Sequence, residues 1–214
     1  MKADRAAHFL GPVSLRQPAR DLGPKAQRTI ARIIDATRTV FLSRGYAGTT
    51  IDEIARAADV SRPSFYTYFE SKRDVLLATG NRVSSDTMEV IDRLPDLGKS
   101  RAGLIRWVGE YFELLDLHGS FSFAWTQAAH DDADIRTVGM KGHLRLCRQL
   151  GKNLAATAGR IGEQPEMLGL VAFAVLERSW SYGQLYAERV DRADFIARIA
   201  LTLWGAAREV SPAR

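Results

Sequence analysis

The 214-residue chain has a single cysteine, Cys147, so no disulfide can form within it and its stability must come from a packed core. It has no long hydrophobic run. The longest uninterrupted apolar stretch, Leu170 to Leu176, is far short of the roughly 20 residues a membrane-spanning helix needs. The first 20 residues scatter their charges and lack the apolar segment of a secretory leader, so the expectation is a cytoplasmic protein with no membrane partner. Also missing are a Gly-x-Ser-x-Gly elbow, a glycine-rich phosphate loop, internal repeats and any alternating β-branched run. Without these, hydrolase, nucleotide-binding and β-sheet readings have nothing to rest on.

What is present suits a soluble, all-helical chain: 46% of residues are apolar and 26% charged, enough of the former to build a core. The length admits one small and one larger domain. The net charge of +5 is unevenly placed. Residues 1–74 hold 13 of the 30 Lys/Arg and 8 of the 25 Asp/Glu, leaving 17 against 17 in the rest. A basic excess confined to the first third is the footprint of a phosphate-backbone binder, although a solvated surface would look the same.

Residues 1–24 carry Pro12, Pro18 and Pro24 among scattered basic residues and read as a flexible basic arm. From Lys25 to Arg44, Ile30, Ile33, Ile34, Thr37, Val40 and Phe41 recur at helical steps, and Gly45 stands where a C′ glycine would. Thr50-Ile-Asp-Glu53 has the form of a capping box opening a second helix. Asp59 interrupts that helix, and Ser61 is placed to cap a third, from Arg62 to about Phe69, with Pro63 in a first turn that needs no amide hydrogen. Ser71-Lys-Arg-Asp74 caps a longer helix that Pro95 is expected to end near Leu94. Further helices are expected near 99–117, 120–130, 133–160, 166–188 and 192–208, separated by Gly119, the Asp131-Asp132 pair, Gly162–Pro165 and Val190-Asp191. The expected partition is 1–24 arm, 25–70 helix-turn-helix domain and 71–214 helical ligand-binding and dimerisation domain.

Residues 50–69 carry the functional signal. Two short helices around a three-residue turn form a helix-turn-helix if the first offers a small residue at the crossing and the turn tolerates left-handed geometry; the second must also anchor itself with apolar residues. Ala55, Asp59, Val60, Phe65 and Phe69 supply these in order. With Phe65 and Phe69 facing inward, Arg62, Ser64, Thr67 and Tyr68 fall outward and Tyr66 lies at the edge. Arg62 suits guanine, Ser64 and Thr67 base edges or a thymine methyl, and the tyrosine hydroxyls phosphate. With Thr50 at the start of the second helix and Lys72 beyond the third, the candidate DNA-contacting set is Thr50, Arg62, Ser64, Tyr66, Thr67, Tyr68 and Lys72.

The stretches Phe41-Leu-Ser-Arg-Gly-Tyr46, Thr49-Thr-Ile-Asp-Glu-Ile-Ala55, Val60-Ser-Arg-Pro-Ser-Phe-Tyr-Thr-Tyr-Phe69 and Ser71-Lys72 resemble the DNA-binding domain of the TetR family of bacterial transcriptional regulators, over roughly residues 28–80. They depart from its pattern at Asp59 and Pro63, where glycine is common. The resemblance implies an all-helical homodimer: three helices bind operator DNA, a fourth links them to a ligand domain, and the last two form the dimer interface through residues 166–208. It also implies a regulator, most often a repressor, released by a small effector.

Beyond residue 71 the reading rests on composition. Trp107, Tyr111, Phe123, Trp125, Phe173, Leu176 and Trp180 are the candidate lining of an apolar effector site, although aromatics at helical spacing are commonly core. Helix 192–208 is apolar on most sides and needs a second cover, which a partner subunit would supply. His143 and Cys147, at i and i+4 with the Asp131–Asp134 cluster nearby, raise a metal-responsive or enzymatic alternative, but no complete ligand set accompanies them. An architectural DNA binder without effector is the other alternative. No cofactor and no catalytic constellation is expected.

Overall fold

The computed structural model describes residues 22–160 and 164–208, apart from the side chains of Ser120 and Phe123. The basic arm therefore lies almost wholly outside the described residues. Among those described, eight helices and no strand are found: α1 (Pro24–Arg44), α2 (Ile51–Ala57), α3 (Arg62–Tyr68), α4 (Lys72–Leu97), α5 (Arg101–Asp131), α6 (Ala133–Thr157), α7 (Pro165–Leu185) and α8 (Arg192–Arg208). No described helix is long and apolar enough to cross a membrane.

Local chemistry explains several helix ends. Gly45 closes α1 at φ 67°, its amide bonding to the Phe41 carbonyl. The amides of Asp134 and Ile135 both donate to Asp132 Oδ1 at the start of α6, and Asp191 receives the Asp194 amide at the start of α8. Gly159, at φ 70°, follows the end of α6, three residues short of the expected position.

Two expected breaks do not occur. Gly119 does not divide the segment 101–131, because a single helical glycine costs only about 1 kcal/mol against alanine and the residues on both sides are buried, among them Leu115, His118, Phe121 and Ala124. Pro95 does not stop α4, which continues to Leu97. A proline at this position deprives the Ile91 carbonyl of its i→i−4 donor. Asn153 Nδ2, from α6, donates to that carbonyl at 2.8 Å in its place. One carbonyl earlier, Val90 O receives the indole N–H of Trp107 at 2.8 Å.

The chain divides into two compact units: one runs through Ser85 and takes in His118–Gly142, the other comprises Asp86–Leu117 and the residues from His143 on. This differs from the partition expected at residue 70. The reason is the core of the first unit, where Phe121, Ala124, Ala128 and Ile135 are buried together with Ile33, Ile54, Phe65, Phe69, Val75 and Leu76. In the second unit Trp107, Leu104, Ile91, Leu94, Leu150, Leu154 and Leu176 are fully enclosed. There α6 and α7 cross at backbone contact: a Cβ on Gly169 would run into the Cys147 carbonyl, and one on Gly151 into that of Pro165.

Candidate nucleic-acid interface

The first unit assembles the expected bihelical motif. Thr50 Oγ1 accepts the Glu53 amide, and the Glu53 carboxylate accepts the Thr50 amide and hydroxyl at 2.9 Å each, completing the capping box. These bonds, the backbone amide first, hold the Glu53 carboxyl below its ordinary pKa. Arg44 adds an ion pair to the other Glu53 oxygen at 3.0 Å.

The turn is made by Asp59, the one described non-glycine residue at positive φ, 51°. The Ala58 amide reaches back to Ile54 and the Val60 amide to Ala55, both at 2.9 Å. Arg32 Nη2 then donates to the carbonyls of Ala58 and Asp59, at 2.6 and 2.7 Å, and to the Asp59 carboxylate at 3.1 Å. A guanidinium from α1 thus satisfies the carbonyls at the end of α2 and opposes their dipole. Sequence reasoning missed Arg32, since nothing along the chain links it to a turn 27 residues on.

Ser61 caps α3 by accepting the Ser64 amide at 3.2 Å. Phe65 and Phe69 are completely buried and pack ring to ring at 5.6 Å, and Ala55 is buried beside them in the same core. Arg62 and Thr67 are exposed, while Ser64, Tyr66 and Tyr68 are half-buried. Five of the seven candidate contacts therefore lie on α3; Arg62 and Thr67 stand clear of the core, while Tyr66 and Tyr68 pack partly against the core that holds Phe65 and, just past the helix, Phe69.

The other two are occupied. Thr50 is exposed, but its hydroxyl serves the capping box. Lys72, expected at a phosphate, turns its ammonium inward. Nζ donates to the carbonyls of Tyr46 at 2.7 Å and Thr49 at 2.9 Å and lies 4.4 Å from the Tyr46 ring centroid. Burial lowers its pKa. The lysine ties the α1–α2 connection to the start of α4, because a flexible ammonium stem beside two carbonyls with acceptor capacity to spare finds them before it finds solvent. Gln127 helps to hold the same connection, its Oε1 accepting the Tyr46 amide at 2.8 Å.

Arg62 has an acidic partner that sequence reasoning overlooked. Its Nη1 donates to both oxygens of Asp52, on α2, at 2.7 Å. Its Nη2 lies 3.5 Å from the Tyr66 hydroxyl, and the guanidinium stands 5.6 Å from the Tyr66 ring centroid. The signal was available in principle: Asp52 and Arg62 occupy the first turns of two helices that the motif brings together.

In the second unit, four of the seven aromatic and aliphatic candidates are core. Trp107, Tyr111, Phe173 and Leu176 are buried, with Tyr111 5.6 Å from Trp107 and 6.1 Å from Phe173, ring centre to centre. Trp180 is half-buried, and its indole N–H donates to Asp116 at 2.8 Å, a carboxylate that also takes Gln184 and Arg192. Trp125 does not join them: it belongs to the first unit, beside Phe121 and over Gly139, whose missing side chain leaves room for the indole. The uninterrupted α5 places it there. The Phe123 side chain lies outside what is described. His143 and Cys147 do share a face, Nε2 to Sγ 3.7 Å, and the His143 ring lies tilted against Phe173, ring centres 5.1 Å apart. Burial pushes the Cys147 thiol up to about 11 and His143 down, which favours an uncharged pair. No group of three potential metal ligands forms among the described residues.

An all-helical protein with a capped helix-turn-helix in its first unit is the class that fold and geometry define. The sequence profile of the family described as bacterial regulatory proteins, tetR family, matches residues 33–79, which span most of α1 and all of the motif. The chain is 37% identical over 98 residues to the HTH-type transcriptional regulator SrpR of Pseudomonas putida, a match covering 46% of this chain and 43% of that protein. It has the same identity, over the same length, to the uncharacterized HTH-type transcriptional regulator TtgW of Pseudomonas putida, and there covers 69% of the relative. The fold is shared with a transcriptional regulator FadR from Bacillus subtilis, solved in complex with stearoyl-CoA. That likeness has a TM-score of 0.60 and 18% identity, over 82% of this chain and 98% of that one. The chain belongs to the TetR family of bacterial regulators.

Proposed function

We propose that the protein is a cytoplasmic, homodimeric transcriptional repressor that reads operator DNA through α3 and leaves it when a small apolar effector binds in the second unit. The observation that carries this reading is the division of the α3 segment, with Phe65 and Phe69 sealed in the core, Arg62 and Thr67 exposed, and Ser64, Tyr66 and Tyr68 half-buried between them. A short helix anchored on one face and polar on the other is the form in which a recognition helix enters the major groove. In this reading Lys72 is a support for the motif and Thr50 a cap that points the first amides of α2 at phosphate.

Dimerisation is supported by the apolar surface of the last two helices. Met167, Leu170, Val171, Tyr182 and Leu185 on α7 and Leu201 on α8 are all more than 40% exposed, an arrangement a monomer has no reason to keep. A two-fold axis through this face gives two recognition helices and half-sites about one DNA turn, ~34 Å, apart. An effector would have to enter among Trp107, Tyr111, Phe173, Leu176 and Trp180, the first four of which are closed into the core, and the stearoyl-CoA carried by the structural neighbour is a precedent for an apolar chain on this fold. Such a ligand releases DNA only if it binds the DNA-incompetent arrangement more tightly than the competent one. Helix α4, part of which lies in each unit, is the proposed transmitter.

The test is selection of duplexes by the full-length protein from a random library, followed by fluorescence anisotropy on the selected duplex. A two-fold symmetric consensus is expected, with loss of binding in Arg62→Ala at moderate salt and release by fatty acyl compounds. Absence of any consensus, or an Arg62→Ala variant that binds normally, overturns the DNA reading. A monomer by light scattering at micromolar concentration overturns the dimer.

A further inference from the structure

The pair formed by Arg62 and Asp52 has no evident purpose in folding. Its side chains are 58% and 50% exposed, and exposed ion pairs contribute little to stability. A carboxylate beside the residue best suited to a guanine also opposes every phosphate that approaches. The geometry of the pair resolves this. Both Asp52 oxygens fall on the same nitrogen, Nη1, so one end of the guanidinium is held by the protein. The opposite edge, formed by Nε–H and Nη2–H, presents two parallel donors, and Nη2 makes only a long 3.5 Å approach to the Tyr66 hydroxyl. Two parallel donors in a fixed plane match O6 and N7 of guanine in the major groove. The Tyr66 ring, 5.6 Å from the guanidinium, limits rotation of that plane.

We propose that Asp52 is a specificity-determining positioning residue: by holding Nη1 it aims the Nε–Nη2 edge of Arg62 at a guanine and keeps Arg62 off the phosphate backbone. This rests on the DNA-binding reading above. Asp52 itself touches no base. Its contribution is to convert a long, rotatable side chain that would settle on any nearby phosphate into an oriented donor pair, raising the ratio of specific to non-specific binding at the expense of total affinity.

The experiment uses the full-length protein and the duplex that the wild type selects from a random library. Binding is measured for that duplex, for each of its single base-pair variants and for an unrelated duplex, across a salt series. The proteins are wild type, Asp52→Asn, Arg62→Lys and the double variant. Asp52→Asn is expected to lose about tenfold of the discrimination at one G·C pair in each half-site while other positions keep theirs. On the unrelated duplex its binding is expected to strengthen, with the slope of log K against log salt steeper by about 0.9, as Arg62 turns to a phosphate. Lysine cannot donate from a rigid edge, so Arg62→Lys is expected to lose the same discrimination in the wild-type background and nothing further in the Asp52→Asn background.

An Asp52→Asn protein that keeps the base preference, or strengthens binding to every duplex equally, overturns the proposal; Asp52 would then be only a brake on affinity. If Asp52→Asn fails to fold, Asp52→Ser, which also releases Nη1, replaces it in the same measurements: loss confined to one G·C pair supports the proposal, and unchanged or uniformly altered binding refutes it. Failure of the wild type to select any consensus defeats the DNA-binding reading itself, which is a different result from a consensus that ignores Asp52.

Discussion

The exchange of donors at the end of α4 can be tested by a double-mutant cycle. Pro95 has no amide hydrogen, so Ile91 O relies on Asn153 Nδ2, and Asn153 is itself buried, with 8% of its surface accessible. Asn153→Leu keeps the volume approximately and removes the donor, leaving a carbonyl without a partner. An unsatisfied buried acceptor costs about 1–3 kcal/mol, and the lost contact from Gln149 Nε2 to Asn153 Oδ1 adds to the lower part of that range. A cost near 2 kcal/mol corresponds to a melting temperature lower by roughly 4–8 °C in a chain of this length. Pro95→Ala restores the backbone N–H at the position the helix would use. In the Pro95→Ala background the same Asn153→Leu substitution is therefore expected to cost less, by about 1 kcal/mol, because the helix again supplies Ile91 with its donor. The assay is urea unfolding followed by far-ultraviolet circular dichroism on the four proteins. Equal costs of Asn153→Leu in both backgrounds, within about 0.3 kcal/mol, would refute the substitution of one donor for the other.

Two further outcomes follow from the same physics. At Asp59 the left-handed backbone is strained for any side chain, so Asp59→Gly is expected to be neutral or stabilising by up to about 1 kcal/mol, the loss of the Arg32 contact offsetting part of the gain, while Asp59→Val costs about 1–2 kcal/mol; equal melting temperatures for the two would contradict the assigned conformation. Burial lowers the His143 pKa below its ordinary 6.5, so between the two values the unfolded chain holds a proton that the folded chain does not, and stability declines as pH falls through 6.5. Urea midpoints measured from about pH 7.5 to 5 should show this decline in the wild type and a smaller one in His143→Gln; an unchanged slope would place the titration elsewhere.

What could be read along the chain was what neighbouring residues settle among themselves. Thr50 and Glu53, Ser61 and Ser64, Ser71 and Asp74, and Asp132 ahead of α6 cap as their spacing implies, because a cap joins groups about three residues apart and needs nothing from elsewhere. The left-handed turn at Asp59 and the inward pair Phe65 and Phe69 were legible for the same reason. Pro95 and Gly119 were misread as stops because their local penalties are real but are outweighed by partners far away in sequence, Asn153 for the one and flanking burial for the other. The capture of Lys72 by the α1–α2 connection, the hold of Arg32 on the turn, the placement of Trp125 in the first unit and the grip of Asp52 on Arg62 all join residues that only the folded chain brings together. The sequence by itself determined most of the helices, their caps and the apolar residues that anchor α3. Tertiary structure decided which charged side chains of the motif are free to act, because a long side chain goes to whichever partner the packing places within reach.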